Sequence, residues 1–292
     1  MRILVTGARG LLGTEVVRAA RVGGHKVVAL GRAEVDVTDP DAVSACFLQE
    51  QPDVVVHCAA YSAVDKAESE PDIAMAVNRG GARNVARSAQ SVGSSTVYVS
   101  TDYVFDGLKS SPYLTTDETG PISSYGRSKL AGELETLAAY TPGNEAGDGS
   151  GRVPSALVVR TGWLYGAAGG NFVQTMLRIA RDRDKVRVVD DQVGRPTWAR
   201  NVAEAIIELI EVRAGGVMHV ADAGEATWLD LARQTFLVQG VEMDTAGVST
   251  LEWGADAPRP LYSVLDLGET EGVLGRGMTD WRDALPAFLE SL

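Results

Sequence analysis

The chain has 292 residues, of which 45% are hydrophobic, enough to fill a large core, and a formal net charge of -12. That acidity, with no basic patch to offset it, speaks against binding nucleic acid or an anionic membrane, both of which would repel it. The two cysteines, Cys46 and Cys58, lie in apolar stretches without metal-ligand or redox spacing, and no apolar run reaches membrane-spanning length, so a cytoplasmic protein with reduced, buried cysteines is expected.

The first element is a strand over Arg2 to Val5. The glycine-rich segment Thr6 to Gly13 follows and leads into a helix over Thr14 to Val22. Strand, glycine-rich turn and helix in that order suit a dinucleotide: the glycines allow a tight turn, and the helix N-terminus offers N–H groups to a pyrophosphate. Lys26 to Leu30 reads as the second strand. It runs into Gly31-Arg32, where a carboxylate would suit the ribose diol of NAD. A guanidinium suits a 2′-phosphate instead, so Arg32 favours NADPH over NADH unless it is merely solvated. Asp36 is placed to meet the adenine side, and Asp39 to cap a helix with Pro40 in its first turn.

Asp53 to His57 is a third strand, apolar on both faces, with His57 expected as a satisfied core residue. The small residues Cys58, Ala59 and Ala60 then let backbone pass close to a flat ligand. A single long helix is expected over Pro71 to Ser91 and a fourth strand over Ser95 to Val99, ending in Ser100-Thr101-Asp102-Tyr103-Val104-Phe105-Asp106-Gly107. Ligands sit at strand C-termini in open parallel sheets, so Thr101 is a candidate hydroxyl partner for Tyr125, with a turn shaped by Thr101 and Asp102 as the bland alternative. Tyr125 and Lys129 stand four apart at the start of an apolar-periodic run from Leu130 to Leu137, so both share a helix face. A cation beside a phenol favours the phenolate, which would make Tyr125 an acid-base group.

Thr141 to Arg152 reads as a mobile, glycine-rich surface excursion without chemistry, and Ser155 to Val159 as the next strand. Beyond Gly162 the alternation is patchier. A helix over Phe172 to Arg181, a strand over Val186 to Val189, a loop over Asp190 to Thr197, a helix over Val202 to Val212, a strand over Gly216 to Val220 and a helix over Thr227 to Gln239 are expected. A late loop spans Arg259 to Asp266. The fold class is therefore α/β, a doubly wound parallel sheet of Rossmann type. A cofactor domain would cover 1–162 with returns near 186–220, and a smaller interleaved substrate-binding part 163–292.

Together, Thr6 to Gly13, Ala59 to Glu68, Ser100 to Gly107, Tyr125 with Lys129, Arg160 to Gly166, Asp191 to Thr197 and Arg259 to Leu265 resemble the dTDP-4-dehydrorhamnose reductase family of the extended short-chain dehydrogenase/reductase superfamily. The Ala-Ala-Tyr-Ser-Ala-Val-Asp-Lys-Ala-Glu and Ser-Thr-Asp-Tyr-Val-Phe-Asp-Gly blocks are the most particular to it. The resemblance implies reduction of the C4 ketone of dTDP-4-dehydro-L-rhamnose to dTDP-L-rhamnose, with another nucleotide-linked 4-keto-6-deoxysugar as the alternative substrate. Tyr125 would protonate the developing alkoxide, Lys129 hold the nicotinamide ribose and lower the Tyr125 pKa, and Thr101 hydrogen-bond the ketone oxygen. The cofactor, NADPH or NADH, would contact Gly7, Gly10, Leu11 and Leu12, with Arg32, Asp36 and Val37 near adenosine and Ala59, Ala60, Tyr61 and Val99 along its middle. Ser62, Val64, Asp102, Tyr103 and Trp163 would line the sugar pocket, and Arg259 is a candidate for the diphosphate on charge grounds. Some members dimerise around magnesium, for which Glu15, Asp190 and Asp191 are candidate ligands, leaving monomer or homodimer open.

Two rivals remain. A nucleotide-sugar dehydratase would place Asp-Glu after the threonine, but Tyr103 follows Asp102; an epimerase needs only the Tyr and Lys. A regulatory subunit similar to that of methionine adenosyltransferase would not need the complete set of Thr101, Tyr125 and Lys129.

Overall fold

The computed structural model describes residues 1–140 and 154–292; the excursion expected over Thr141 to Arg152 lies outside them. Alternate residues of β1 (Arg2–Thr6) face opposite sides, and both sides are apolar. Ile3 and Val5 pack with α1 (Leu11–Val22), whereas Leu4 packs with α2 (Pro40–Glu50), which follows β2 (Lys26–Leu30). A strand buried on both faces has to lie inside a sheet covered by helices above and below. Each such fully buried aliphatic side chain contributes roughly 1.5–3 kcal/mol.

The first half continues through β3 (Val54–His57), α3 (Val64–Ser69), α4 (Pro71–Met75), α5 (Gly81–Ser91), β4 (Ser95–Thr101), α6 (Ser124–Ala139) and β5 (Ala156–Thr161). The second comprises β6 (Leu164–Tyr165), α7 (Phe172–Asp182), β7 (Lys185–Val189), β8 (Val193–Gly194), β9 (Thr197–Trp198), α8 (Ala199–Glu211), β10 (Gly216–His219), β11 (Ala226–Thr227), α9 (Trp228–Val238), β12 (Asp244–Val248), α10 (Thr250–Trp253), α11 (Gly268–Leu274) and α12 (Trp281–Glu290). Six strands form the central parallel sheet in the order β10-β5-β4-β3-β1-β2. The chain steps from β1 outward to β2 and then back across to β3, so the connections diverge between β1 and β3 and open a crevice at their C-terminal ends.

Local chemistry accounts for the boundaries. Asp39 Oδ1 accepts the N–H groups of Asp41 and Ala42 at 3.0 and 3.1 Å and starts α2 with Pro40 in the first turn, as expected. The helix expected over Pro71 to Ser91 is interrupted by a π-turn, Ala76–Gly80, which turns the fully buried Asn78 inward.

Within the expected return near 186–220, the two strands part company. β10 joins the sheet edge beside β5, whereas β7 pairs in parallel with β12, from Lys185 opposite Asp244 to Val189 opposite Val248. β7 carries exposed Lys185 and Arg187 on alternate positions, and a strand polar on one side does not fit a sheet covered on both. Further short pairings join β8 with β11 and β6 with β9, and β8 and the start of β9 fall in the stretch expected as loop. Among the described residues, no helix is long and apolar enough to cross a membrane.

Candidate active site

The crevice between β1 and β3 is shaped by glycine. Gly7 has φ +65°, and a Cβ there would lie 2.5 Å from the Ala59 nitrogen, so the turn after β1 and the loop after β3 can touch only while position 7 is bare. No side chain caps α1, which begins directly behind Gly10, leaving its first N–H groups for an anion. A cleft of about 740 Å³ runs from this turn across the ends of β3, β4 and β5.

The end expected to take adenosine is lined by Gly7, Gly10, Leu11, Leu12, Arg32, Asp36 and Val37. Arg32 is exposed, 3.6 Å from Asp36, whose carboxyl is held below the usual range chiefly by the Thr38 N–H and hydroxyl. Arg9 also lines this end, beside Gly31 and ion-paired with Glu34. Ala59, Ala60 and Tyr61 form the middle together with Val99. Asn78 fixes that loop as a peptide group would: Oδ1 accepts the Tyr61 N–H at 2.8 Å, while Nδ2 donates to the Tyr61 carbonyl at 3.0 Å and to Ser128 Oγ at 2.9 Å.

The far end gathers Ser62, Val64, Thr101, Asp102, Tyr103, Tyr125, Lys129 and Trp163. α6 starts where Ser123 Oγ accepts the Gly126 N–H at 3.1 Å, and a Cβ on Gly126 would lie 2.2 Å from the Tyr103 carbonyl oxygen. That contact sets Tyr125 against the turn after β4. Burial pushes its phenol up to about 12, with the Thr101 hydroxyl working the other way.

Lys129 departs from expectation. It is 2% exposed, its Nζ donates to the Val99 carbonyl at 2.6 Å and lies 4.1 Å from the Tyr98 ring centre, and burial brings its pKa down to about 7. In the free chain the ammonium is thus turned to Val99 and Tyr98, and it is not what shifts Tyr125. His57 is buried in the core as expected but only half satisfied: Nδ1 meets Thr6 Oγ1 at 2.7 Å, Nε2 is buried without a hydrogen-bond partner, and burial lowers the ring's pKa to about 3.

Arg259 also differs. It does not line the cleft; its Nη1 and Nη2 grip Asp65 at 2.9 and 2.7 Å, because a free guanidinium beside α3 finds a carboxylate nearer than the cleft floor. The candidate metal ligands are scattered. Glu15 pairs with Arg18 at 2.7 Å and Arg200 at 3.5 Å, Asp191 accepts the Thr250 N–H and hydroxyl, and the Asp190 carboxylate lies against Gly247. Among the described residues, no group of three or more His, Cys, Asp or Glu side chains could hold a metal ion.

Sequence reasoning missed Arg9 and Trp228 as cleft residues. Trp228 lies flat on Trp163, with ring centres 3.6 Å apart and 4° between planes, and its Nε1 donates to Gln192 Oε1 at 3.0 Å. The only local signal was a tryptophan at the first position of α9, behind the Thr227–Asp230 capping box.

The whole chain, residues 1–292, matches the family model described as RmlD substrate binding domain. A dTDP-4-dehydrorhamnose reductase of Streptomyces griseus is 41% identical over all of this chain and 94% of that protein. A dTDP-4-keto-6-deoxy-D-glucose reductase of Streptomyces niveus is 39% identical over 97% of this chain and 91% of its own. The crystal structure of a dTDP-4-dehydrorhamnose reductase from Bacillus anthracis in complex with NADP superposes with a TM-score of 0.92 at 34% identity, covering 100% and 99% of the two chains. With sequence, fold and cleft in agreement from end to end, the chain belongs to the dTDP-4-dehydrorhamnose reductase family of the extended short-chain dehydrogenase/reductases.

Proposed function

We propose that the protein reduces the C4 ketone of dTDP-4-dehydro-L-rhamnose to give dTDP-L-rhamnose, with NADPH preferred to NADH. One observation carries the reading: Thr101, Tyr125 and Lys129 meet at one end of a single cleft whose other end is the glycine cradle. The bare Gly7 turn and the uncapped start of α1 fit the pyrophosphate of a dinucleotide. The exposed Arg32, with Arg9 across Gly31, supports a 2′-phosphate. When bound, the nicotinamide supplies the hydride for the ketone carbon.

This chain's part is to place the ketone and give it a proton. Tyr125 lines the cleft beside Thr101, and its buried phenol holds a proton at neutral pH that it can give to the ketone oxygen. Donation to the carbonyl oxygen as negative charge develops there leaves a phenolate, which the Thr101 hydroxyl stabilises. Lys129, 2% exposed at the cleft floor, would hold the nicotinamide ribose through an N–H not given to the Val99 carbonyl. Ser62, Val64, Tyr103 and Trp163 form the walls around the sugar.

The Streptomyces niveus relative, nearly as similar as the Streptomyces griseus one, favours a second reading: reduction of another dTDP-linked 4-keto-6-deoxysugar. The complete trio at the cleft argues against a purely regulatory subunit. The test is the absorbance loss of NADPH and of NADH with dTDP-4-dehydro-L-rhamnose. Turnover faster with NADPH, and reduced by roughly 10²-fold or more in Tyr125→Phe, is the expected result. A folded parent chain that binds NADPH but turns over only a different 4-keto sugar would transfer the assignment to the second reading.

A further inference from the structure

Thr101 carries one hydroxyl proton, and more than one acceptor claims it. Its Oγ1 donates to Asp102 Oδ1 at 3.0 Å, accepts the Tyr103 N–H at 3.2 Å, and lies against the Tyr125 phenol. A hydroxyl donates once and accepts twice. While the proton is committed to Asp102, Thr101 can offer neither the ketone oxygen nor the Tyr125 phenolate a hydrogen bond. The role given to Thr101 therefore depends on its neighbour.

Asp102 is housed with unusual care for a side chain outside that role. It is 2% exposed; its Oδ2 accepts Ser263 Oγ at 2.6 Å; and a Cβ on Gly162 would lie 2.4 Å from its Cγ. Ser263 arrives from the C-terminal loop and is itself 3% exposed. The titratable groups facing Asp102 are Tyr125 on α6 and Tyr103 on the same turn, with the Arg259–Asp65 pair beyond Tyr103. Nothing in that list is a cation in contact with the carboxyl.

We infer that Asp102 is a positioning residue whose protonation sets the direction of the Thr101 hydrogen bond and so decides whether Thr101 donates into the cleft. Ionised, the carboxylate holds the Thr101 proton through a charge-assisted bond. Protonated, it donates to the remaining Thr101 lone pair, and the Thr101 proton is released toward either the ketone oxygen or the Tyr125 oxygen. Burial pushes the carboxyl up to about 6, with Ser263 and Thr101 pulling it down, so both forms are populated near neutral pH.

The inference rests on the reductase reading for Thr101, and two readouts separate them. In turnover, kcat of the parent falls as pH rises through the Asp102 titration. Asp102→Asn, whose amide can donate to Thr101 but cannot titrate, loses that decline whatever its absolute kcat. Ser263→Ala removes a donor to the carboxylate and moves the decline to higher pH by about half a unit or more. Without substrate, the carboxyl resonance absent from Asp102→Asn titrates near 6 in the parent and moves upward by a similar amount in Thr101→Val. Absent turnover by the parent would sink the reductase reading and leave the titration to judge the inference. Turnover with superimposable pH profiles for parent, Asp102→Asn and Ser263→Ala would overturn the inference alone, as would a carboxyl that Thr101→Val does not move.

Discussion

Lys129 shows how a group can be costly to the fold and necessary to the site. A buried ammonium whose pKa has come down to about 7 is a base the folded chain would prefer to leave neutral. Below that pH the folded state carries the whole cost of charging it; as pH climbs toward the ordinary lysine value of 10.5 the unfolded chain loses its proton too and the cost vanishes. Lys129→Met, neutral and of similar reach, is therefore expected to abolish turnover while raising the free energy of unfolding by on the order of 2 kcal/mol at pH 7. Glu133 does not become an orphan in that variant, because it keeps Arg160 at 2.8 Å and the Ser100 hydroxyl. Denaturant titration of parent and variant from pH 7 to 10 should show the gain shrinking as pH rises; a variant less stable than the parent would refute this. The pairing of Tyr125 with Lys129 was legible because a helix places positions four apart on one face. The direction in which Lys129 points was not, since it depends on the Val99 carbonyl and the Tyr98 ring, some thirty residues away in sequence.

At the level of elements, the sequence revealed strands and helices where a single local pattern decides them. β1, β3 and β5 are continuous apolar runs, and α2 begins at an Asp-Pro pair. The π-turn at Ala76–Gly80 has no such signature, because one extra residue in a turn leaves the apolar periodicity on either side almost unchanged. β12 was invisible for the opposite reason: Asp244 to Val248 is largely exposed and mostly small, and only pairing with β7 makes it a strand. α12 carries Pro286 in its interior, which argues locally against a helix, yet Trp281, Leu285 and Phe288 bury one face of it. The π-turn matters to the site through Asn78. Asn78→Leu would leave the Tyr61 N–H and carbonyl without their partner beside a fully buried side chain, while the Ser128 hydroxyl keeps its bond to the Tyr125 carbonyl. The expected cost is roughly 2–4 kcal/mol of stability, together with weaker NADPH binding because the Ala59 to Tyr61 loop is no longer held. Chemical denaturation and fluorescence titration with NADPH measure the two effects; loss of stability with unchanged NADPH affinity would show that Asn78 supports the helix and not the loop.

Across the whole molecule, the C-terminal loop reaches back to the N-terminal half. Ser263 meets Asp102, Tyr113 exchanges backbone hydrogen bonds with Val264 and Asp266, and Arg259 crosses 194 positions of sequence to clasp Asp65. Asp65 is 48% exposed at its side chain, so the last of these ties is worth less than about 1 kcal/mol to folding. Its interest is functional, because the sequence suggested Arg259 for the substrate diphosphate while the free chain holds it on Asp65. A pair of variants separates a latch from a ligand. If Arg259 leaves Asp65 to meet the diphosphate, Arg259→Ala raises KM for the nucleotide sugar by about tenfold while Asp65→Ala, which releases the guanidinium, leaves KM unchanged or lower. If the pair only fastens the loop, both variants raise KM alike. Steady-state kinetics at fixed NADPH distinguishes the two outcomes, and the first is expected: a bidentate guanidinium on a partly exposed carboxylate gives up little when it turns to a doubly charged diphosphate.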